Sequence, residues 1–494
     1  MPKFALRSFL WLTTGHCNIP FHVTGVRRPK AFETSINPDF AVENFLPKFQ
    51  YLFQMEHEYT DELVTAWGGM KEMKMLIDKT GISKKLGGLG LPTGTSNNRI
   101  DPVGIIESFW VSIWIGCYRF SHTAVVRVDE VLRQIFGWKR VASGTTFGRF
   151  FKRFTPSMNH HLFIDLYSWF FGQLKFDNYT LDVDSSVITR YGGQQGSKKG
   201  YNPKKPGRGS HHPLFAFVND IRMVANCWNR SGDTASSSNA IHFLEETFSI
   251  LKNRTIGLFR ADSGFCNSRI LDFIESKNIA YVMACKLYAN LQSRIYQIKD
   301  WTAIGEGIWI SEIMYQQGGW GKARRVVLIK QSEEIRQRAT GKKLKTLFSS
   351  MGITDEKVYR TRYHAFVTNQ TLPATEIWSQ YKRRGDAENR IKELKEDFGA
   401  EGFCMDSFCA TETAMRFTMM AYNLMSLFRQ LTHQKQPRPR LSTLRFNCFA
   451  VGSWVKGEGE KRTLKMAVPL KRRQWYDSLF ANIQNSQLPL SLTG

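Results

Sequence analysis

TIGLFRADSGFCNSRILDFIESKNIAYVMAC, Thr255–Cys285, packs a strand, a carboxylate, a helix and a second strand into one short stretch. Ile256–Ala261 is a largely apolar run that reads as a strand, Ser268–Lys277 reads as a helix, and Ile279–Cys285 returns to strand. Asp262 falls at the C-terminal end of the first strand, just before Gly264. That is the edge of an open α/β sheet where ligands gather. A loop aspartate that only caps the following helix is the competing reading, and on this stretch alone it is the simpler one.

Upstream, Tyr179–Thr189, Pro213–Asn219 and Arg222–Trp228 read as strands, followed by a helix from about Ser237 to Lys252. Three antiparallel strands leading into alternating helix and strand give an α/β class, the order that builds an RNase H-like sheet. LDVDSS, Leu181–Ser186, lies in the first of them. Alternate strand residues share a face, so Asp182 and Asp184 point one way while Leu181 and Val183 enter a core. Carboxylates oppose strand propensity, and such conflicts concentrate at functional sites.

Residues 1–55 form a poorly patterned N-terminal extension, and Met55, just before the first patterned region, is a candidate natural start. Residues 56–175 are helical, with apolar spacing of three and four over Thr65–Thr80, Asp101–Phe120, Thr123–Phe136, Thr145–Phe154 and Asn159–Leu174. DEVLRQIFGWKRVASGTTFGRFFKRF resembles a helix-turn-helix capped at Ser143 or Thr145, offering Arg149, Lys152 and Arg153 to DNA; an ordinary helical hairpin is the alternative. The first part of the core spans 176–286. Residues 287–362 are too long for a connection and, being aromatic and β-branched with glycine turns, are expected as a β-rich insertion. The core resumes over 363–435, with a helix at Thr411–Leu431. A basic region, 436–494, closes the chain with a hairpin at Lys456–Lys461 and a helix near Arg472–Ile483.

Lys and Arg number 68 against 43 acidic residues, a formal charge of +25, and 42% of the chain is hydrophobic, enough for real cores. The positive surplus points to a polyanionic partner, nucleic acid before an anionic membrane surface. Val103–Phe120, the most apolar stretch, contains Glu107, Ser108 and Ser112, so it reads as a buried helix rather than a membrane span. FALRSFLWLTTG is too short and polar for a signal peptide. A cytoplasmic protein, nucleoid-associated when bound to DNA, is expected. The eight cysteines make no C-x-x-C pair and are expected as reduced, packed thiols; Cys404 and Cys409 alone invite a metal reading, which is the weaker one.

YKRRGDAENRIKELKEDFG, Tyr381–Gly399, supplies a third acid. If the segment is one helix, Tyr381, Arg384, Glu388 and Lys395 share a narrow arc at about 100° per residue. Ala387, Ile391, Leu394 and Phe398 would then seat it on the sheet. Gly385-Asp386 is a possible break, with Asp386 as cap, and a solvated amphipathic face is the plain alternative.

These residues carry a resemblance. Tyr381, Arg384, Glu388 and Lys395 match the Tyr-x2-Arg-x3-Glu-x6-Lys signature of bacterial insertion-sequence DDE transposases at every position. DSGF at Asp262–Phe265 resembles the second-aspartate box, and DSS at Asp184–Ser186 the first. LDVDSSVITRYG, KKGYNPKKPGRGSHHPL and RADSGF look like the insertion-sequence thirteen-eighty family, from about Leu63 to the C-terminus. The resemblance implies an RNase H-like core with a β insertion before the glutamate, and the apolar spacing read above sets an α-helical N-terminal domain ahead of it. The resemblance also implies cleavage and strand transfer at element ends, with a freed 3′-hydroxyl attacking target DNA.

Phosphodiester hydrolysis needs an activated oxygen nucleophile and charge stabilisation on both oxygens, which two hard ions about 3.5–4 Å apart supply. Such ions take carboxylates rather than His or Cys. Asp184 is expected as the bridging ligand, with Asp262 on one Mg²⁺ and Glu388 on the other, and Mn²⁺ as a substitute. Asp182 is the rival of Asp184; the serine pair decides for Asp184. Arg384, Lys395 and Tyr381 are expected on the DNA backbone.

RYGGQQGSKKGYNPKKPGRGSHH, Arg190–His212, adds Lys198, Lys199, Lys204, Lys205 and Arg208 as DNA contacts on a Gly/Pro-rich loop, against a merely solvated connection. Nothing near His211 and His212 completes a metal site. Partners expected from the resemblance are double-stranded DNA, both element ends and target, and a second copy of the chain in a homodimer. A nuclease of the same core without strand transfer, or a silent DNA-binding derivative, are the alternatives.

Overall fold

The computed structural model describes residues 57–334, 359–433, 438–457, 459, 461–487 and 489–491. Glu62–Gly494 cluster as one unit, and 57–61 belong to another, Met1–Asp61. The expectations for 1–55 and for Met55 lie outside the described residues.

The first expected helix starts late. Val64–Thr65 form a short strand, β1, and Thr65 donates its hydroxyl to Asp129 at 2.5 Å, so the helix begins at Met70 and runs to Thr80. Helix Pro102–Ile115 is capped by Asp101, whose carboxylate accepts from the Gly104 amide, and stops at Gly116, φ 112°, a conformation glycine adopts at little cost. Its sides are buried nearly all round. Trp110 and Trp114 donate their indole N–H to the Phe417 and Ala421 carbonyls at 2.9 and 3.1 Å, pinning it to helix Phe408–Thr432. At roughly 25 cal/mol per Å², each indole contributes about 4–6 kcal/mol of burial. The expected Thr123–Phe136 helix is split at Asp129, which accepts from the Leu132 amide and caps Glu130–Phe136. Ser143, not Thr145, caps the next helix, Gly144–Phe151. No helix among the described residues is long and apolar enough to cross a membrane.

Helix Pro156–Gly172 leads through β2, Leu174–Lys175, into the main sheet. Strands β3 (Tyr179–Ser185), β7 (Leu214–Val218) and β8 (Met223–Trp228) form an antiparallel meander; between β3 and β7, the short strands β4 (Ile188–Thr189), β5 (Lys198–Lys199) and β6 (Gly209–His211) make their own small sheet. Helix Ala240–Ile250 then returns the chain to β9 (Ile256–Ala261), parallel to β3, and helix Ser268–Ser276 to β10 (Tyr281–Ala284), parallel to β9. Each parallel neighbour is reached through a helical crossover, which parallel pairing requires. Helix Phe408–Thr432 closes the β8 edge: Asn423 both accepts from the Val224 amide at 2.7 Å and donates to its carbonyl at 2.8 Å, while Ser426 and Gln430 donate to the Arg222 and Ile221 carbonyls. An exposed strand edge is thereby paired by side chains.

The segment expected as a β-rich insertion is built mainly of strands that continue the core sheet. It opens with a helix, Ala289–Gln297, and its strands β11 (Thr302–Gly305), β12 (Ile308–Tyr315), β13 (Arg324–Glu334) and β14 (Tyr359–Thr368) join the core sheet. The order is β11-β12-β13-β14-β10-β9-β3-β7-β8. The C-terminal half of β14 pairs with β10, so one strand belongs to both regions. The C-terminal hairpin, β15 (Ser453–Lys456) with β16 (Thr463–Met466), adds β1 as a third strand. Helix Leu470–Asn485 and β17 (Leu490–Ser491), parallel to β2, complete the fold.

Candidate active site

Asp182 sits opposite Arg260 and Val183 opposite Ala261 in the parallel β3–β9 register, so the next position brings Asp184 beside Asp262. Side chains on alternate residues share a face, and the two pairs therefore stack on one side of the sheet. They differ in chemistry. Arg260 holds Asp182 in a buried two-point ion pair, 2.6 and 2.7 Å, and donates its remaining arm to the Gln380 carbonyl at 2.6 Å. Asp182 is fully enclosed by that role. Asp184, only 7% exposed, has one oxygen accepting from the Ser185 amide at 2.8 Å and the other 2.9 Å from Arg384 Nη2. Asp262 accepts from the Gly264 amide at 2.9 Å, and a Cβ at Gly264 would press within 2.9 Å of Ser236. Glycine is required there by space.

The signature segment is two helices, not one. Ala374–Lys382 ends before Arg384, which stands at the N-terminal boundary of Gly385–Glu396. Asp386 is no cap; it pairs with Arg390 instead. The break turns Arg384 inward under Asp184, while its Nη1 lies 3.4 Å from Glu388 Oε1. Glu388 itself is 68% exposed. Tyr381 packs against Phe366 with its ring tilted by 40°, ring centres 4.4 Å apart. Lys395 donates to the Val187 carbonyl at 2.8 Å and pairs with Glu401 at 2.8 Å, fastening the helix to the loop that follows β3.

Burial pushes the Asp184 carboxyl up to about 6; Arg384 opposes this, and the charges of Asp262 and Glu388 add to it. Burial likewise lifts Tyr381 to about 12, with Arg384 opposing and Asp262, Asp184 and Glu388 reinforcing. The charges of Asp262 and Glu388 therefore both reach Asp184 and Tyr381. Among the described residues no three His, Cys, Asp or Glu side chains converge closely enough to hold a metal ion. Carboxylates are the donors a hard divalent cation takes, and the cation joining Asp184 to Glu388 here is the Arg384 guanidinium.

The other residues expected on DNA are scattered. Lys198, Lys199, Lys204, Lys205 and Arg208 are exposed on the β4–β6 loop, Lys198 reaching Asp233 at 3.3 Å. Arg149 is exposed on its helix, and Lys152 and Arg153 lie past its last turn, the former 3.8 Å from Asp406. The connection 137–143 is longer than the three or four residues of a helix-turn-helix. His211 is buried: its Nδ1 accepts from Arg190 Nε at 3.1 Å and its Nε2 meets the Gln195 carbonyl at 3.0 Å. His212 bonds the Thr234 carbonyl. Cys404 and Cys409 are free thiols. Sequence reasoning missed Arg260; alternation along FRAD puts it on the Asp262 face, but only the β3–β9 register reveals its partner.

A solved structure described as a piggyBac transposase synaptic complex with hairpin DNA is similar over 77% of this chain and 79% of that one, at 8% identity and a TM-score of 0.38. No curated protein sequence matches. A family model described as Transposase DDE domain group 1 matches residues 54–488. With most of its length inside that match, the chain belongs to the DDE-domain group 1 transposases.

Proposed function

We propose that this chain is the transposase of a bacterial insertion sequence, of the thirteen-eighty type. On this reading it binds terminal inverted repeats and cuts and joins DNA strands with Asp184, Asp262 and Glu388. The order β8-β7-β3-β9-β10, with its two parallel links, supports an RNase H-like core. The observation that carries the reading is the placement of Asp184 beside Asp262 on neighbouring parallel strands, with Arg384 tying Glu388 to Asp184.

The three carboxylates would hold two divalent ions, Mg²⁺ or Mn²⁺. Such ions, when bound, activate the attacking oxygen and offset charge on the leaving one. The protein's own groups prepare that site. Arg384 keeps the crowded acids neutralised, Asp182 and Arg260 brace β3 against β9 beneath them, and Lys395 fixes the helix carrying Glu388. Arg384 reaches a DNA phosphate only by leaving Asp184, so its expected clamp role becomes a second state of the same side chain. The exposed lysines of the 190–212 loop would track the backbone, and two copies would act on paired element ends.

The test is cleavage and joining of a labelled element end. Asp184→Asn, Asp262→Asn and Glu388→Gln should each abolish both steps and leave end binding measurable. Retained joining in any of the three would remove that residue from the set.

A further inference from the structure

On the other flank of the Glu388 helix lies a recess of about 210 Å³ lined by Arg222, Arg390, Lys392, Arg429, Arg438 and Arg440. Arg390 is two residues from Glu388, roughly 160° round the helix, so the recess and the acids open to different sides. Two carboxylates, Asp386 and Glu393, also line it. Asp386 pairs with Arg390 and lies 3.9 Å from Arg222, and Glu393 holds Arg429 at 2.5 Å. Arg440 is taken by Glu396 and Asp397, and Lys392 reaches Glu396 only at 4.0 Å.

The acids do not satisfy this cluster. Arg390 is buried at 4% exposure and directs a single nitrogen, Nη2, to Asp386 and to the Asn219 carbonyl and side chain at 2.9 and 3.0 Å. Its Nε and Nη1 have no acceptor among the described residues, and neither does Arg429 Nε. Burial pulls the Arg438 guanidinium down, and the charges of Arg222 and Arg429 pull it further, as a positive potential requires. Buried, charged donors left without acceptors are costly unless an anion meets them. Planar guanidinium forks match phosphate oxygens best.

We infer that this recess is a phosphate-binding site, separate from the three acids, that takes either a free phosphate or a phosphate of a DNA strand. The proposal extends the transposase reading, but no part of its test depends on strand cleavage.

The full chain is melted in inorganic phosphate and in pyrophosphate against chloride at matched ionic strength. Duplex DNA without element ends is titrated over a range of salt. The variant is Arg222→Asn with Lys392→Gln; Asn tolerates the left-handed φ of 52° at residue 222. A phosphate-specific rise in Tm of a few degrees that the variant loses by at least half assigns the site to free anions. An unchanged melt with a salt slope of DNA binding shallower by about 1–2 assigns it to backbone phosphates. If the variant alters neither, the inference is overturned, and the assignment of the acids is untouched. If instead the acid variants still cut DNA while the phosphate effect holds, the recess stands and the catalytic reading falls.

Discussion

Arg384 Nη2 lies 2.9 Å from Asp184 Oδ2, a buried ion pair at the point where two parallel strands bring their carboxylates together. The same guanidinium extends to Glu388, so one side chain supplies the positive charge the acids require. A guanidinium there and a bound divalent ion compete for the same oxygens. Arg384→Gln is expected to tighten Mn²⁺ binding by the DNA-free protein about tenfold, equivalent to about 1.4 kcal/mol. DNA cleavage by the variant should fall. Calorimetric titration with Mn²⁺ checks the first outcome, and an unchanged affinity would show that Arg384 does not guard the acids.

Asp182 and Asp184 should part company on substitution. Asp182→Asn leaves Arg260 charged and buried, which costs about 3–5 kcal/mol, so urea unfolding should show a large loss of stability. Asp184→Asn leaves Arg384 its second partner, Glu388, at 3.4 Å, so it should lose less stability than Asp182→Asn and yet lose cleavage. A stable, inactive Asp182→Asn would exchange the two roles.

His211 sets an acid limit. Burial, then the neighbouring Arg190 charge, lowers its pKa to about 4, and Nδ1 must stay bare to accept from Arg190. The unfolded chain protonates this histidine near its ordinary 6.5, so unfolding gains a proton the folded state refuses. Stability from this group is complete above pH 6.5 and is lost as pH falls toward 4. Melting curves of His211→Gln, compared with the parent between those limits, should show a flatter acid limb.

Replacing Lys198, Lys199, Lys204 and Lys205 together with alanine should make the salt dependence of DNA binding shallower by about 2–4 in slope, near 0.9 for each phosphate no longer neutralised. Filter binding at several salt concentrations measures it. An unchanged slope would return the loop to solvent.

The local pattern carried most of the secondary structure and singled out Asp184 and Asp262, which the β3–β9 register brings side by side. Strand Ile256–Ala261 was legible at both ends because apolar residues run between polar punctuation. Tyr179–Thr189 overshot: after Ser185 the chain leaves the main sheet, and Ile188–Thr189 pairs with β6. Hydrophobicity alone does not distinguish those two sheets. Of the two readings of Tyr381 to Lys395, a single arc or a break at Gly385-Asp386, the break is the one found, and the helix boundary at Arg384 serves the ion pair with Asp184. Asp182 and Asp184 look alike in sequence, and their difference rests on what faces them across seventy-odd residues of chain. Register between distant strands is invisible to a local period.

The amide of Asn423 also limits how this protein meets other chains. By occupying both hydrogen-bonding groups of Val224 it blocks strand addition next to β8. Lengthening of the sheet by a foreign or sister strand is thereby confined to the β11 flank, five strand spacings, or roughly 24 Å, from β9 and Asp262. An assembly built through that flank would leave the face that carries Asp184 and Asp262 uncovered.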